Sequence, residues 1–211
     1  MNEFLRFQTR FTGAKTGCGQ GGCGACTVAI SREAGRTPLS VPSCLTALPS
    51  LHGAAVLTAE GLAGKDGLPH PVAERLAKFN GSQCGYCTPG MVMRLYTELS
   101  GRKGGSNCEE KDLEHCINGN ICRCTGYRPI IECAKSFAPG STVRNPLDPS
   151  LVAGPYDVAR DPQIVLPKSP GPLNGSRWRR PMVLSEVKQA LQAGAVVVAG
   201  CTAAGIYTEL A

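Results

Sequence analysis

The stretch Lys15–Ser31 reads KTGCGQGGCGACTVAIS, and most of the fold follows from how it must be arranged. Cys18, Cys23 and Cys26 stand in C-x4-C-x2-C spacing, and Cys44 comes after a further x17. That is the spacing of a plant-type [2Fe–2S] loop. Two irons bridged by sulfide need four thiolates converging from a small volume, on a loop whose backbone amides can point at the sulfurs. Side chains would obstruct both requirements, and Gly17, Gly19, Gly21, Gly22 and Gly24 remove them. A tetrahedral zinc knot is the competing structure. It more typically uses C-x2–4-C pairs, so the x4 step and the glycine density together favour iron–sulfur. No histidine lies near the loop, which disfavours a Rieske centre. The run Cys26–Ser31 (CTVAIS) that follows reads as a short strand.

Downstream, a second group pairs Cys84-x2-Cys87 with Cys122-x-Cys124. The C-x2-C element alone suits zinc or a redox pair, and C-x-C alone carries little information. Together they offer four ligands from two turns, flanked by Gly85, Gly119 and Gly126. Spacing leaves iron–sulfur and zinc equally open here. Helical patterns surround these turns: Val72, Leu76 and Phe79 share one face, and Met91, Leu95 and Leu99 another. Thr88-Pro89 reads as an N-cap followed by proline in the first turn. Leu113, Cys116 and Ile117 mark a third helix, and Ile130, Ala134 and Phe137 a fourth that opens at Tyr127-Arg128-Pro129. Four helical segments with two cysteine-bearing turns imply a small bundle.

Composition bounds the rest. The 211 residues fit one or two domains, and 42% hydrophobic against 18% charged residues marks a globular chain. Twelve cysteines are too few for a small disulfide scaffold and too many for an ordinary cytosolic domain, which leaves metal binding as the natural use. Met1–Lys15 is broken by Glu3, Arg6, Arg10 and Lys15 and has no signal-peptide core, so a reducing, cytoplasmic setting is expected. The longest apolar run, Ala195–Ala199, is far below the roughly 18 residues needed to span a bilayer, and no membrane association is expected. The net charge of +6 is scattered, with only Arg177–Arg180 (RWRR) forming a knot, so nucleic acid is not expected as a partner. Eight of the sixteen prolines fall within Pro139–Ser176, which reads as an extended linker. His52, His70 and His115 are isolated and take no ligand role. Cys116 and Cys133 lie in helical stretches and read as buried spectators.

Three segments, residues 15–31, 81–91 (GSQCGYCTPGM) and 118–130 (NGNICRCTGYRPI), resemble the iron–sulfur portion of the molybdenum hydroxylases, the family of xanthine dehydrogenase and aldehyde oxidase. The resemblance implies an α+β chain. Residues 1–66 would form a plant-type ferredoxin-like (β-grasp) domain, N-terminally incomplete because Asn2–Thr12 resembles only the end of the helix that follows its first hairpin. Residues 67–138 would form the helical [2Fe–2S] domain, 139–176 the linker, and 177–211 the α/β beginning of a flavin-binding domain. By the same resemblance Cys18, Cys23, Cys26 and Cys44 hold one [2Fe–2S] cluster, and Cys84, Cys87, Cys122 and Cys124 hold the other. Val197, Val198, Gly200, Thr202 and Gly205 match the family's flavin-pyrophosphate turn, with Cys201 standing in place of the usual Asn. Gln83 and Cys124 match positions near the pterin of the molybdenum cofactor.

The family hydroxylates a purine or aldehyde carbon and sends the electrons from molybdenum through both clusters to FAD, then to NAD⁺ or O₂. The resemblance therefore implies an electron-transfer module that works with flavin and molybdopterin-cofactor domains or subunits, in a complete enzyme that can dimerise. No catalytic acid or base is expected in this portion. Two other classes compete with that reading: a zinc-stabilised interaction module, and a truncated fragment that binds no metal. Loading two clusters on eight thiolates would carry the formal charge from +6 to about +2, which weakens the nucleic-acid reading further.

Overall fold

The computed structural model describes residues 1–64, 67–102, 107–145, 148–152 and 183–193. The apolar run after the first cysteine loop becomes strand β1 (Thr27–Ser31), and all five of its residues are buried. Strand alternation sends their side chains two ways. Val28 joins a small cluster with Leu5 and Ala14, and Ala29 joins the main core on the opposite face. β2 (Leu39–Pro42) and β3 (Ala55–Leu57) flank β1 antiparallel in the order β2-β1-β3. Thr27 faces Pro42 and Ala29 faces Leu57. Pro42 is tolerated because β2 is an edge strand.

A π-type turn, Phe4–Gln8, covers the Val28 face and buries Leu5 there. Its neighbours Phe4, Phe7 and Phe11 remain 41, 74 and 46% exposed. Beside them runs an apolar groove of about 410 Å³, lined by Phe4, Phe11, Leu48, Leu51 and Val56 among others.

The helices carry the apolar stripes read from the sequence. α1 (Pro71–Lys78) buries Val72 and Leu76, and Phe79 completes the stripe at its end. His70 caps it: the buried ring accepts a 3.3 Å bond from the Val72 N–H at Nδ1 and meets Tyr96 edge-on at 5.5 Å. α2 (Thr88–Gly101) buries Met91, Leu95 and Leu99 and lies on β1. Its N-cap is Cys87 rather than the expected Thr88, so a candidate ligand sits at the helix start. α3 (Glu110–Cys116) opens with a reciprocal capping box between Glu109 and Asp112. α4 (Arg128–Lys135) buries Ile130, Cys133 and Ala134.

These side chains form one core with Ala29 of the sheet, in which each fully buried large apolar side chain contributes about 1.5–3 kcal/mol. Cys116 and Cys133 are buried within it, where burial pushes both thiols up to about 12 and leaves them neutral. Two arginines brace the assembly. Arg75 of α1 donates to the Ser136 carbonyl at 3.0 Å and lies 3.9 Å over the Phe137 ring. Arg94 of α2 donates to the Cys116 carbonyl at 2.7 Å and also to Ser40 Oγ of β2, so α2 holds the sheet to the bundle.

Two short strands pair within the segment read as linker. β4 (Arg144–Asn145) pairs antiparallel with β5 (Asp148–Val152), with Arg144 opposite Val152, and β4 lies alongside α4. Proline is tolerated here because both strands of a two-stranded ribbon are edges. A further helix, α5 (Leu184–Gln192), falls in the stretch read as the flavin-domain opening. The candidate flavin residues Val197, Val198, Gly200, Cys201, Thr202 and Gly205 lie outside the described residues, as does most of the linker. Among the described residues no helix is long and apolar enough to cross a membrane.

Candidate metal centre

The first cysteine site is one loop held by the sheet. Gly19, Gly21 and Gly24 adopt φ of 68, 74 and 68°, the left-handed region that lets the chain curl back on itself. Space is as limiting as angle at Gly17, where a Cβ would stand 2.6 Å from Cys23 Sγ. The curl aims amides at sulfur: the N–H groups of Gln20 and Gly22 reach Cys18 Sγ at 3.3 and 3.2 Å. Burial opposes ionisation of Cys18, but these bonds and the Cys23 thiol outweigh it and bring its pKa down to about 7. Cys44 goes the other way, pushed up to about 11 by burial and by its hydrogen bond with Cys26.

A buried asparagine ties this loop together. Asn2 Oδ1 accepts from Thr16 Oγ1 at 2.6 Å, and Asn2 Nδ2 donates to Ser43 Oγ at 2.9 Å and to the Ala14 carbonyl at 3.3 Å. Thr16 stands two residues before Cys18, and Ser43 immediately precedes Cys44. Ser43 Oγ in turn donates to the Cys26 carbonyl at 2.7 Å.

The second site is assembled from helix ends. Cys84 and Cys87 lie in the turn entering α2, and Cys122 and Cys124 in the turn between α3 and α4. Cys84 and Cys124 are exposed, Cys87 is half-buried and Cys122 is buried. Burial first, and the neighbouring Cys122 second, push Cys87 up to about 12. Cys122 shifts down: burial resists, but the Thr125 hydroxyl and backbone N–H groups prevail. Cys84 is lowered by the Tyr86 N–H and by Cys124, and Cys124 is raised by the same thiol contact.

Across both sites the thiols therefore gather two by two. The Cys18 and Cys23 thiols share a hydrogen bond, as do those of Cys26 and Cys44, Cys84 and Cys124, and Cys87 and Cys122, with every one of these cysteines free of disulfides. Among the described residues no three His, Cys, Asp or Glu side chains converge tightly enough to enclose a single ion. The eight sequence-derived ligand candidates are thus brought together in four pairs, two in the first loop and two between the helix ends. Gln83 is exposed beside Cys84.

The two sites also touch. The Ile121 N–H donates to the carbonyl of Cys23 at 2.9 Å, Asn120 Nδ2 to that of Gly24 at 3.2 Å, and Tyr86 Oη to that of Thr16 at 2.6 Å. The fit is close at Gly90 in the first turn of α2, where a Cβ would fall 2.2 Å from the Gly24 carbonyl oxygen. Asn2, Asn120 and Gly90 went unnoticed in the sequence, since each acts through partners that no local pattern links to it.

A family model described as a [2Fe-2S] binding domain matches residues 58–135. Aldehyde oxidase 3 of Mus musculus is 51% identical over 143 residues, which is 66% of this chain and 10% of that protein. Xanthine dehydrogenase of Calliphora vicina is 51% identical over 138 residues, 64% of this chain and 10% of its own length. The crystal structure of quinoline 2-oxidoreductase from Pseudomonas putida 86 aligns with TM-score 0.55 and 31% identity, covering 64% of this chain and 76% of that one. The chain belongs to the xanthine dehydrogenase and aldehyde oxidase family.

What it carries is the iron–sulfur domain of these molybdenum hydroxylases. Aldehyde oxidoreductase from Desulfovibrio gigas, another structural neighbour, aligns with TM-score 0.55 and 31% identity over 64% of this chain and 14% of its own. The chain thus spans about a tenth of the length of the curated xanthine dehydrogenase and aldehyde oxidase relatives it matches. The donor set fits iron–sulfur chemistry: all-thiolate, two by two, with glycine-shaped loops and amides aimed at sulfur.

Proposed function

We propose that this chain is the electron-transfer part of a molybdenum-dependent hydroxylase, carrying electrons from a molybdenum cofactor towards FAD. Cys18, Cys23, Cys26 and Cys44 would hold one [2Fe–2S] cluster, and Cys84, Cys87, Cys122 and Cys124 the second. When bound, each cluster supplies a one-electron carrier. The observation that carries the reading is the gathering of eight thiols two by two in two sites whose loops are bonded to each other. A tetrahedral zinc ion takes four donors around one point, whereas two irons take two thiolates each, and the pairing suits the latter.

The chain's own residues then have definable tasks. Gln20 and Gly22 offset negative charge on the Cys18 sulfur through their N–H groups. Cys26 and Cys122 are buried, which keeps water from one side of each site, while Cys18, Cys84 and Cys124 face outward. The Ile121–Cys23, Asn120–Gly24 and Tyr86–Thr16 bonds fix the separation of the two sites. Gln83, on the exposed side of the second site, would face a molybdopterin-bearing domain or subunit. Val197, Val198, Gly200, Cys201, Thr202 and Gly205 would contribute to the flavin site. Substrate chemistry belongs to those partner domains, and a cytoplasmic setting suits the all-thiolate sites.

Anaerobic titration of the reconstituted chain with dithionite tests this reading. Uptake of about two electrons per chain, in two spectroscopically distinct steps, is expected. Uptake of none, or a single species, would contradict it.

A further inference from the structure

The turn after Cys122 contains a closed set of bonds that cluster binding by itself does not require. Thr125 Oγ1 lies 3.1 Å from Cys122 Sγ. The Tyr127 N–H donates to the same Oγ1 at 3.2 Å, and the Cys122 N–H donates to Tyr127 Oη at 3.1 Å. Tyr127 holds φ at 67°, a left-handed conformation that a bulky residue adopts only where its surroundings impose it. That conformation sets the Tyr127 ring relative to its own amide, so that one residue donates to Thr125 and accepts from Cys122.

Direction follows from counting protons. A threonine hydroxyl has one proton and two acceptor lone pairs. The Tyr127 N–H occupies a lone pair, and a metal-bound cysteine sulfur has no proton to offer, so the Thr125 proton goes to Cys122. Cys122 is 7% exposed, which limits any replacement of that bond by water, in contrast to exposed Cys84 and Cys124. A hydrogen bond to ligand sulfur stabilises the more negative, reduced state and raises the reduction potential.

We infer that Thr125 is a positioning residue that sets the reduction potential of the second site through its bond to the Cys122 sulfur. The inference rests on the assignment of Cys84, Cys87, Cys122 and Cys124 as [2Fe–2S] ligands.

The test is dithionite potentiometry of the reconstituted full chain, followed by electron paramagnetic resonance, on wild type, Thr125→Val and Thr125→Ser. Thr125→Val should move the midpoint of one signal to more negative potential and leave the other unmoved, with iron content unchanged. Thr125→Ser, which keeps the hydroxyl, should restore the wild-type midpoint. An unmoved midpoint in the valine variant, an equal shift of both signals, or a serine variant that behaves like valine would each overturn the inference. Loss of second-site iron from the valine variant would also overturn it, by showing a structural role instead. Wild-type chain that takes up no iron would overturn the underlying assignment, and the iron count identifies that case before any variant is compared.

Discussion

The two cysteine sites reach the same two-by-two arrangement by opposite means. The first is a continuous loop whose form depends on absent side chains: left-handed glycines curl it, and backbone N–H groups serve its outermost sulfur. The second is brought together by helix packing, from turns that begin α2 and separate α3 from α4, and a side-chain hydroxyl joins the backbone N–H groups at its buried sulfur. A loop of the first kind is fixed by backbone conformation and by the few residues that pin its ends. A site of the second kind exists only while the bundle core does, so its integrity should track the packing of Leu95, Leu113 and Ile130.

The largest perturbation should come where the two designs meet. Gly90 lies in the first turn of α2 against the backbone of Gly24, and Gly90→Ala cannot be absorbed by rotating a flexible side chain. It should cost about 1–3 kcal/mol and reduce iron at both sites, checked by thermal unfolding and iron content. Next in size, Cys23→Ser should abolish the first spectroscopic signal and spare the second, and Cys122→Ser the reverse. Loss of both signals from either variant would show that the sites are not independent.

Asn2→Ala should separate the two kinds of site more gently. It leaves the Thr16 and Ser43 hydroxyls without their buried partner, at a cost of about 1–3 kcal/mol. First-site iron occupancy should fall while second-site occupancy holds. The smallest effect concerns acid. Burial raises the pKa of Glu60, but hydrogen bonds from Thr58 and the Gly13 N–H outweigh this and hold it below the usual carboxylate value. A depressed folded-state pKa contributes stability above the unfolded value and loses it as pH falls through the folded one. Glu60→Gln should therefore be slightly less stable than wild type at neutral pH, with the difference fading below about pH 4.

Much of this was readable in the sequence, for identifiable reasons. Cys18, Cys23, Cys26 and the glycines between them are contiguous, so spacing alone announced the first loop. The stripes of α1, α2 and α4 emerged from apolar periodicity, since helix burial repeats in sequence as it does in space. The second site was less legible: C-x2-C and C-x-C carry no sign that they meet, and resemblance to a family joined them. The pairing of Cys84 with Cys124 rather than Cys87 depends on how the bundle brings the turn before α2 to the turn between α3 and α4. Asn2 left no trace because no local sequence pattern links it to its partners Ala14, Thr16 and Ser43. The β4–β5 ribbon was hidden by a proline-rich stretch that reads as linker.

The most direct measurement is the metal content of the purified, anaerobically reconstituted chain, with zinc, iron and acid-labile sulfide counted together with the visible spectrum. Two [2Fe–2S] sites require about four irons and about four sulfides per chain in a coloured protein. Colourless protein containing zinc, or protein that stays metal-free after reconstitution, would contradict the assignment of these eight thiols.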